Sequence, residues 1–142
     1  MAESRARVLA VDLGDVRVGV ALSDPMGWTA QPLPTISAKA EGGPVGAVAA
    51  LAGEHDVGTV VVGLPLHLSG EEGERARLSR SFAARLEKAA PDLDVVLWDE
   101  RLTSHEAKRL MIDGGDRRRR RRGRVDEVAA ALILQSFLDA RS

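Results

Sequence analysis

The stretch Val8 to Asp24 reads VLAVDLGDVRVGVALSD, and its interpretation decides the fold. Val8, Leu9, Ala10 and Val11 form a short apolar run with β-branched residues, bounded by Gly14, which is the pattern of a buried strand. A second run, Arg17 to Leu22, begins only a few residues later. So short a connection predicts an antiparallel hairpin, because a parallel return needs a longer crossover. Asp12 stands at the carboxyl end of the first strand, beside glycines that let a ligand approach the backbone, which marks it as a candidate site residue. The plain alternative is that Asp12 only caps the turn through its own backbone.

Downstream, Trp28 to Ile36 can supply a third strand, and Pro32 and Pro34 assign it to an edge because they cannot donate ladder hydrogen bonds. Pro44 to His55 has helical spacing with proline near its start. Thr59 to Val62 is the most strand-like run, closed by Gly63, Leu64 and Pro65. A helix is expected from Glu71 to Ala90, with acids in its first turn and Pro91 behind it. Asp94 to Trp98 reads as another buried strand with Asp99 and Glu100 at its end. Thr103 and Glu106 form a capping box for a helix to Ile112, which Gly114 and Gly115 break. Arg117 to Arg122, six consecutive arginines, are expected as a mobile loop before a last helix from Val125 to Ala140. Without repeats or a linker, residues 1–142 are expected to form a single α/β domain with a mixed sheet.

Composition narrows the function. The 142 residues are 44% hydrophobic and 3% aromatic, so aliphatic side chains and alanine must build the core. With no cysteine there is no disulfide framework, no cysteine-ligated zinc and no cysteine nucleophile. No apolar run reaches membrane-spanning length, and the N-terminal run breaks at Asp12, so a soluble cytoplasmic protein is the expectation. The net charge of −1 conceals an asymmetry: Arg101 to Arg124 holds ten Lys/Arg against three acids, and the remainder ten against eighteen. An acidic body with one basic segment implies a polyanionic partner held at one place, the bland alternative being a solvated loop.

Three carboxylate positions break the pattern. Asp12 is one. Asp99 and Glu100 are the second, and because neighbours on a strand point to opposite faces, only one of them can share a face with Asp12. The third is Asp126, which a helical projection of Val125 to Ala140 sets in the middle of the apolar arc, near Ala130 and between Ile133 and Phe137. Carboxylates facing a core are costly unless paired or metal-bound, and a divalent cation resolves the repulsion among several. Pairing with arginine is the structural alternative. Three hard oxygen ligands suit Mg²⁺ or Mn²⁺ rather than zinc. His55, His67 and His105 lack metal-ligand spacing, and neither GxGxxG nor Walker fingerprints occur.

The segments VDLGDVRVGVALSD (Val11 to Asp24), VVGLPLHLSGEEG (Val61 to Gly73), LWDERLTSHEA (Leu97 to Ala107) and VDEVAAALILQSFL (Val125 to Leu138) resemble, in order and spacing, the YqgF/RuvX family of the ribonuclease H-like superfamily. The resemblance covers nearly the whole chain. It implies a five-stranded mixed sheet of order 3-2-1-4-5 with helices on both faces. It carries the family's catalytic and metal-binding acids onto Asp12, Glu100 and Asp126, with Asp99 supporting them. Nucleic-acid contacts would fall to Arg17, Arg101, Thr103, Arg117, Arg118, Arg119, Arg120, Arg121, Arg122 and Arg124, with Gly63 and Ser104 in loops beside the groove. The unbroken arginine tract is more basic than the family usually needs. The implied mechanism is phosphodiester hydrolysis with two divalent ions: one activates water, the other stabilises the leaving 3′-oxygen, giving 5′-phosphate and 3′-hydroxyl ends.

Family members are described either as processing the 5′ end of precursor 16S rRNA or as Holliday-junction resolvases, and this sequence does not choose. The expected partner is structured RNA or four-way junction DNA, with no membrane. A homodimer suits a symmetric junction, while an rRNA nuclease could be monomeric. Two rivals remain. A sugar kinase or actin-like ATPase also opens with a strand-Asp-Gly hairpin but needs two lobes and more chain. A non-catalytic nucleic-acid-binding module in ribosome assembly or transcription would use the arginines alone, against which the acid triplet speaks.

Overall fold

The computed structural model of the chain describes residues 7–39, 42–103 and 118–141, with side chains of the last segment described from residue 128 onward. Strands β1 (Arg7–Leu13), β2 (Arg17–Ser23) and β3 (Ala30–Ser37) come first. Helix α1 (Gly43–Glu54), strand β4 (Val57–Leu64), helix α2 (Glu74–Ala89) and strand β5 (Asp94–Asp99) follow. A 3₁₀ turn (Glu100–Leu102) ends β5, and α3 (Arg118–Arg141) closes the chain. The sheet is five-stranded in the order β3-β2-β1-β4-β5. The β1/β2 and β2/β3 pairs are antiparallel, and β4 pairs parallel with both β1 and β5. The hairpin expected at Val8 to Leu22 and the order 3-2-1-4-5 are both present. Strand β3, carrying Pro32 and Pro34, lies at the edge.

Both sheet faces are covered, which is why β1 reads as an unbroken apolar run rather than an alternating one. Leu9, Val11, Val20, Val60 and Val62 pack with Val48 of α1 and with Phe82 and Leu86 of α2. Val8, Ala10, Ala21 and Val61 pack on the other face with Ala130, Ile133, Leu134 and Leu138 of α3. Each fully buried Val or Leu contributes about 1.5–3 kcal/mol. At the far end of the sheet, Ser23 Oγ accepts from Val8 N at 2.9 Å, so this buried hydroxyl does not go unpaired.

Strand and helix ends shift by a residue or two in several places, and two helix starts differ further from expectation. Helix α2 starts at Glu74, not Glu71, because Leu66 bridges Glu72 and His67 N donates to Glu71 O at 3.0 Å, drawing those acids into the loop. The last helix starts at Arg118 rather than Val125, so Arg118 to Arg122 are helical residues and not the expected loop. Arginine is a strong helix former, and the helix tolerates Gly123, which costs about 1 kcal/mol relative to alanine. No apolar face marks those turns, so their period leaves no trace in the sequence. Arg117 and the helix expected up to Ile112 lie outside the described residues. Among the described residues, no helix is long and apolar enough to cross a membrane.

Candidate active site

Because β1, β4 and β5 run parallel, their carboxyl ends share one sheet edge, where α/β sheets bind ligands. The β1–β2 turn stands on this edge. Gly14 N donates to Arg17 O at 3.0 Å, and a Cβ at Gly14 would lie only 2.5 Å from that same oxygen, so the turn requires glycine. Asp12 pairs with Gly19, and alternation after Val8 and Ala10 aims it at the α3 face. Val11 pairs with Val62. One further residue along that register sets Gly63 beside Asp12.

Glu100 comes to the same place from β5. A Cβ on Gly63 would lie 2.6 Å from Glu100 Oε2 and 2.7 Å from Ile133 Cδ1. The Glu100 carboxylate therefore lies against bare backbone at the end of β4, on the α3 side of the sheet. Asp12 and Glu100 are both half-buried there. Asp126 lies within α3, one turn before Ala130, which packs on this face, while its side chain is outside the described part. Among the described residues no three acidic, histidine or cysteine side chains gather as a metal-binding group.

Asp99 faces a different task. Its carboxylate takes hydrogen bonds from Arg101 Nε at 3.1 Å, Arg101 Nη2 at 2.8 Å and Arg101 N at 2.9 Å. The Arg101 hydrogen bond holds the Asp99 carboxyl below its ordinary value, and the same bond raises Arg101. Arg101 Nη1 also reaches Leu68 O at 3.4 Å in the loop between β4 and α2. The ion pair thus ties that loop to the residue just before Glu100.

Arg17 opens β2 at the same edge. Thr103 ends the 3₁₀ turn and is buried, its N–H donating to Glu100 O at 3.1 Å. The side chains of Arg118, Arg119, Arg120, Arg121, Arg122 and Arg124 are outside the described part, as are Arg117 and Ser104 entirely. One contact had no sequence signal. Arg75, at the start of α2, donates to Asp15 Oδ1 at 3.0 Å and to Leu13 O at 2.9 Å, clamping the β1–β2 turn from a position sixty residues away.

A mixed sheet of this order, with helices on both faces, is the ribonuclease H-like fold. T. thermophilus RuvC in complex with Holliday junction substrate matches it with a TM-score of 0.57 at 14% identity, over 96% of this chain and 97% of that one. A second Thermus thermophilus RuvC structure matches with a TM-score of 0.55 at 16% identity, over 95% of each chain. The chain belongs to the RuvX family, described as Holliday junction resolvase, which it matches over residues 6–140. A relative from Pelotomaculum thermopropionicum named "Putative pre-16S rRNA nuclease" is 49% identical over 95% of this chain and 88% of its own length. A relative of the same name from Lactococcus lactis subsp. cremoris is 45% identical over 96% of both.

Proposed function

We propose that this chain is a divalent-metal-dependent endonuclease that hydrolyses phosphodiester bonds in structured nucleic acid, residues 1–142 acting as one nuclease domain. The observation that carries the reading is the approach of Asp12 and Glu100 to one face around Gly63, in a member of the RuvX family. Asp12, Glu100 and Asp126 are the proposed catalytic and metal-holding carboxylates. The donor set fits Mg²⁺ or Mn²⁺: its described members offer carboxylate oxygens, and the chain has no cysteine. Two such ions, when bound, supply Lewis-acid neutralisation at the scissile phosphate and an acidified water for attack.

The chain's own groups do the rest. Arg101, held by both oxygens of Asp99, offers a guanidinium with little orientational freedom to the phosphate backbone. Arg17 and the arginine tract of residues 117–122 with Arg124 are the further proposed backbone contacts, which fix register without reading sequence. Thr103, expected among them, is buried and offers no surface to a phosphate. The half-buried setting of Asp12 and Glu100 strengthens their interaction with cations relative to open water. Precursor 16S rRNA is the proposed substrate, since relatives at 45% and 49% identity carry that name. A four-way DNA junction is the second reading, favoured by the family's description. An rRNA-processing role puts the protein in the cytoplasm, and a symmetric junction substrate would call for a homodimer.

The test is cleavage of labelled precursor rRNA and junction DNA, side by side, with Mg²⁺, Mn²⁺ or EDTA. Metal-dependent cleavage of one substrate, abolished in Asp12→Asn, is expected. Tight binding of both without any cleavage would replace the nuclease reading with the non-catalytic binding module.

A further inference from the structure

Outside the segment from Arg101 to Arg124, the chain has ten Lys/Arg against eighteen acids, yet half of those ten stand on α2 alone. Arg75, Arg77, Arg80, Arg85 and Lys88 share that helix with only Glu74 and Glu87. The body is therefore not uniformly acidic, and its one basic element begins at the sheet edge that carries Asp12 and Glu100. Arg75 is fixed to the β1–β2 turn through Asp15 and Leu13. From there Arg75, Leu78, Phe82 and Arg85 form one flank of a cleft of about 150 Å³, closed by Gly14 and Pro44. Leu78 is half exposed in it, and Arg85 makes no ion pair with any described residue. Ten residues of helix from Arg75 to Arg85 span about 15 Å.

The other basic segment belongs to the opposite sheet face. Helix α3 touches Gly63 through Ile133 at the carboxyl edge, while Gln135 bonds Trp28 O toward the far end. The helix direction therefore carries the arginine-rich start of α3 toward the same edge from the other side. We propose that the α2 flank is a second phosphate-backbone contact surface, so that structured nucleic acid is gripped on both sheet faces with the scissile bond at the edge between them. The ligand chemistry is a polyanion with two backbone segments converging on one point, as in a helix junction or stem. This inference rests on the nucleic-acid reading above but not on its catalytic part.

The experiment uses Arg85→Gln, the cleft arginine that makes no ion pair with any described residue. It leaves Arg75 and Arg80 in place because they are ion-paired to Asp15 and Glu72. Binding of a labelled four-way junction and of a stem-loop fragment of precursor 16S rRNA is titrated against salt in EDTA. Removing one arginine that neutralises a phosphate should lower the slope of log K against log salt by about 0.7–0.9. An unchanged slope in an Arg85→Gln variant with wild-type circular dichroism would overturn the proposal and leave α2 a solvated face. Cleavage by the wild type with an unchanged slope would sink only this surface. A reduced slope without any cleavage would sink only the nuclease.

Discussion

Glu100 occupies the space that Gly63 leaves empty: Oε2 lies 2.6 Å from where a Gly63 Cβ would be, and Ile133 Cδ1 lies 2.7 Å from the same point. The end of β4 can hold a carboxylate or a methyl group, not both. A glycine in a strand forfeits side-chain packing, so its use here is explained by the acid it admits. The candidate site is thus shaped by three elements, β4 giving the gap, the turn after β5 the carboxylate, and α3 the wall.

Gly63→Ala should therefore displace Glu100 and Ile133 together. Overpacking of this kind costs about 1–3 kcal/mol, measurable by urea unfolding. A carboxylate moved by about 1 Å can cost about 100-fold in kcat. Adding Ile133→Val removes Cδ1 and should recover much of the stability while leaving activity low. Recovery of activity along with stability would show that Glu100 is not the group Gly63 accommodates.

Asp99 and Glu100 should separate by role. Glu100→Gln should reduce cleavage by about 10²–10³-fold, the scale of losing one preorganised electrostatic group. Asp99→Asn should cost less and act through the Arg101 tether to the Leu68 loop, seen as faster amide exchange there. The pH dependence follows from the lowered Asp99 carboxyl. Its stabilising contribution is present above the unfolded value near 3.8 and is lost as pH falls through the lower folded value. The stability gap between wild type and Asp99→Asn should accordingly hold at neutral pH and close in acid. A gap that widened below about pH 4 would contradict the pairing.

The hairpin and the edge strand were legible because connection length and proline position each exclude alternatives, whereas the order of the sheet came from the family resemblance. Alternation allowed only one of Asp99 and Glu100 to share a face with Asp12 and did not choose between them. Glu100 came from the family resemblance, and it lies in the 3₁₀ turn just past the strand. The amino-terminal turns of α3 were not legible: Arg118 to Arg122 have helix propensity but no apolar stripe, so nothing marks their period. The arginines of α2 were hidden by summing charge over the whole body. Neither the Arg75 clamp nor the Arg101 tether could be read, since both depend on distant loops meeting in space.

Asp12→Asn removes one charge from the candidate cluster while preserving shape and hydrogen-bonding capacity. Cleavage should fall by about 10³-fold or more, with nucleic-acid affinity in EDTA held or improved because a phosphate-repelling charge is gone. Calorimetric titration with Mn²⁺ should show weaker binding than wild type. Undiminished cleavage by the purified variant would end the nuclease proposal.

The arginine tract should govern binding rather than chemistry. Its helical backbone at Arg118 to Arg122 dictates the choice of replacement, because serine would weaken the helix as well as remove charge. Glutamine keeps length and helix propensity, so changing residues 117–122 to glutamine isolates the charge. Every phosphate that the tract no longer neutralises should reduce the salt slope by about 0.7–0.9, equally for all nucleotide sequences. At saturating substrate the cleavage rate should fall far less than in Asp12→Asn, since guanidinium groups that only position the backbone leave the carboxylate cluster unchanged. A variant with intact helix content and an unaltered salt slope would remove the tract from the binding surface.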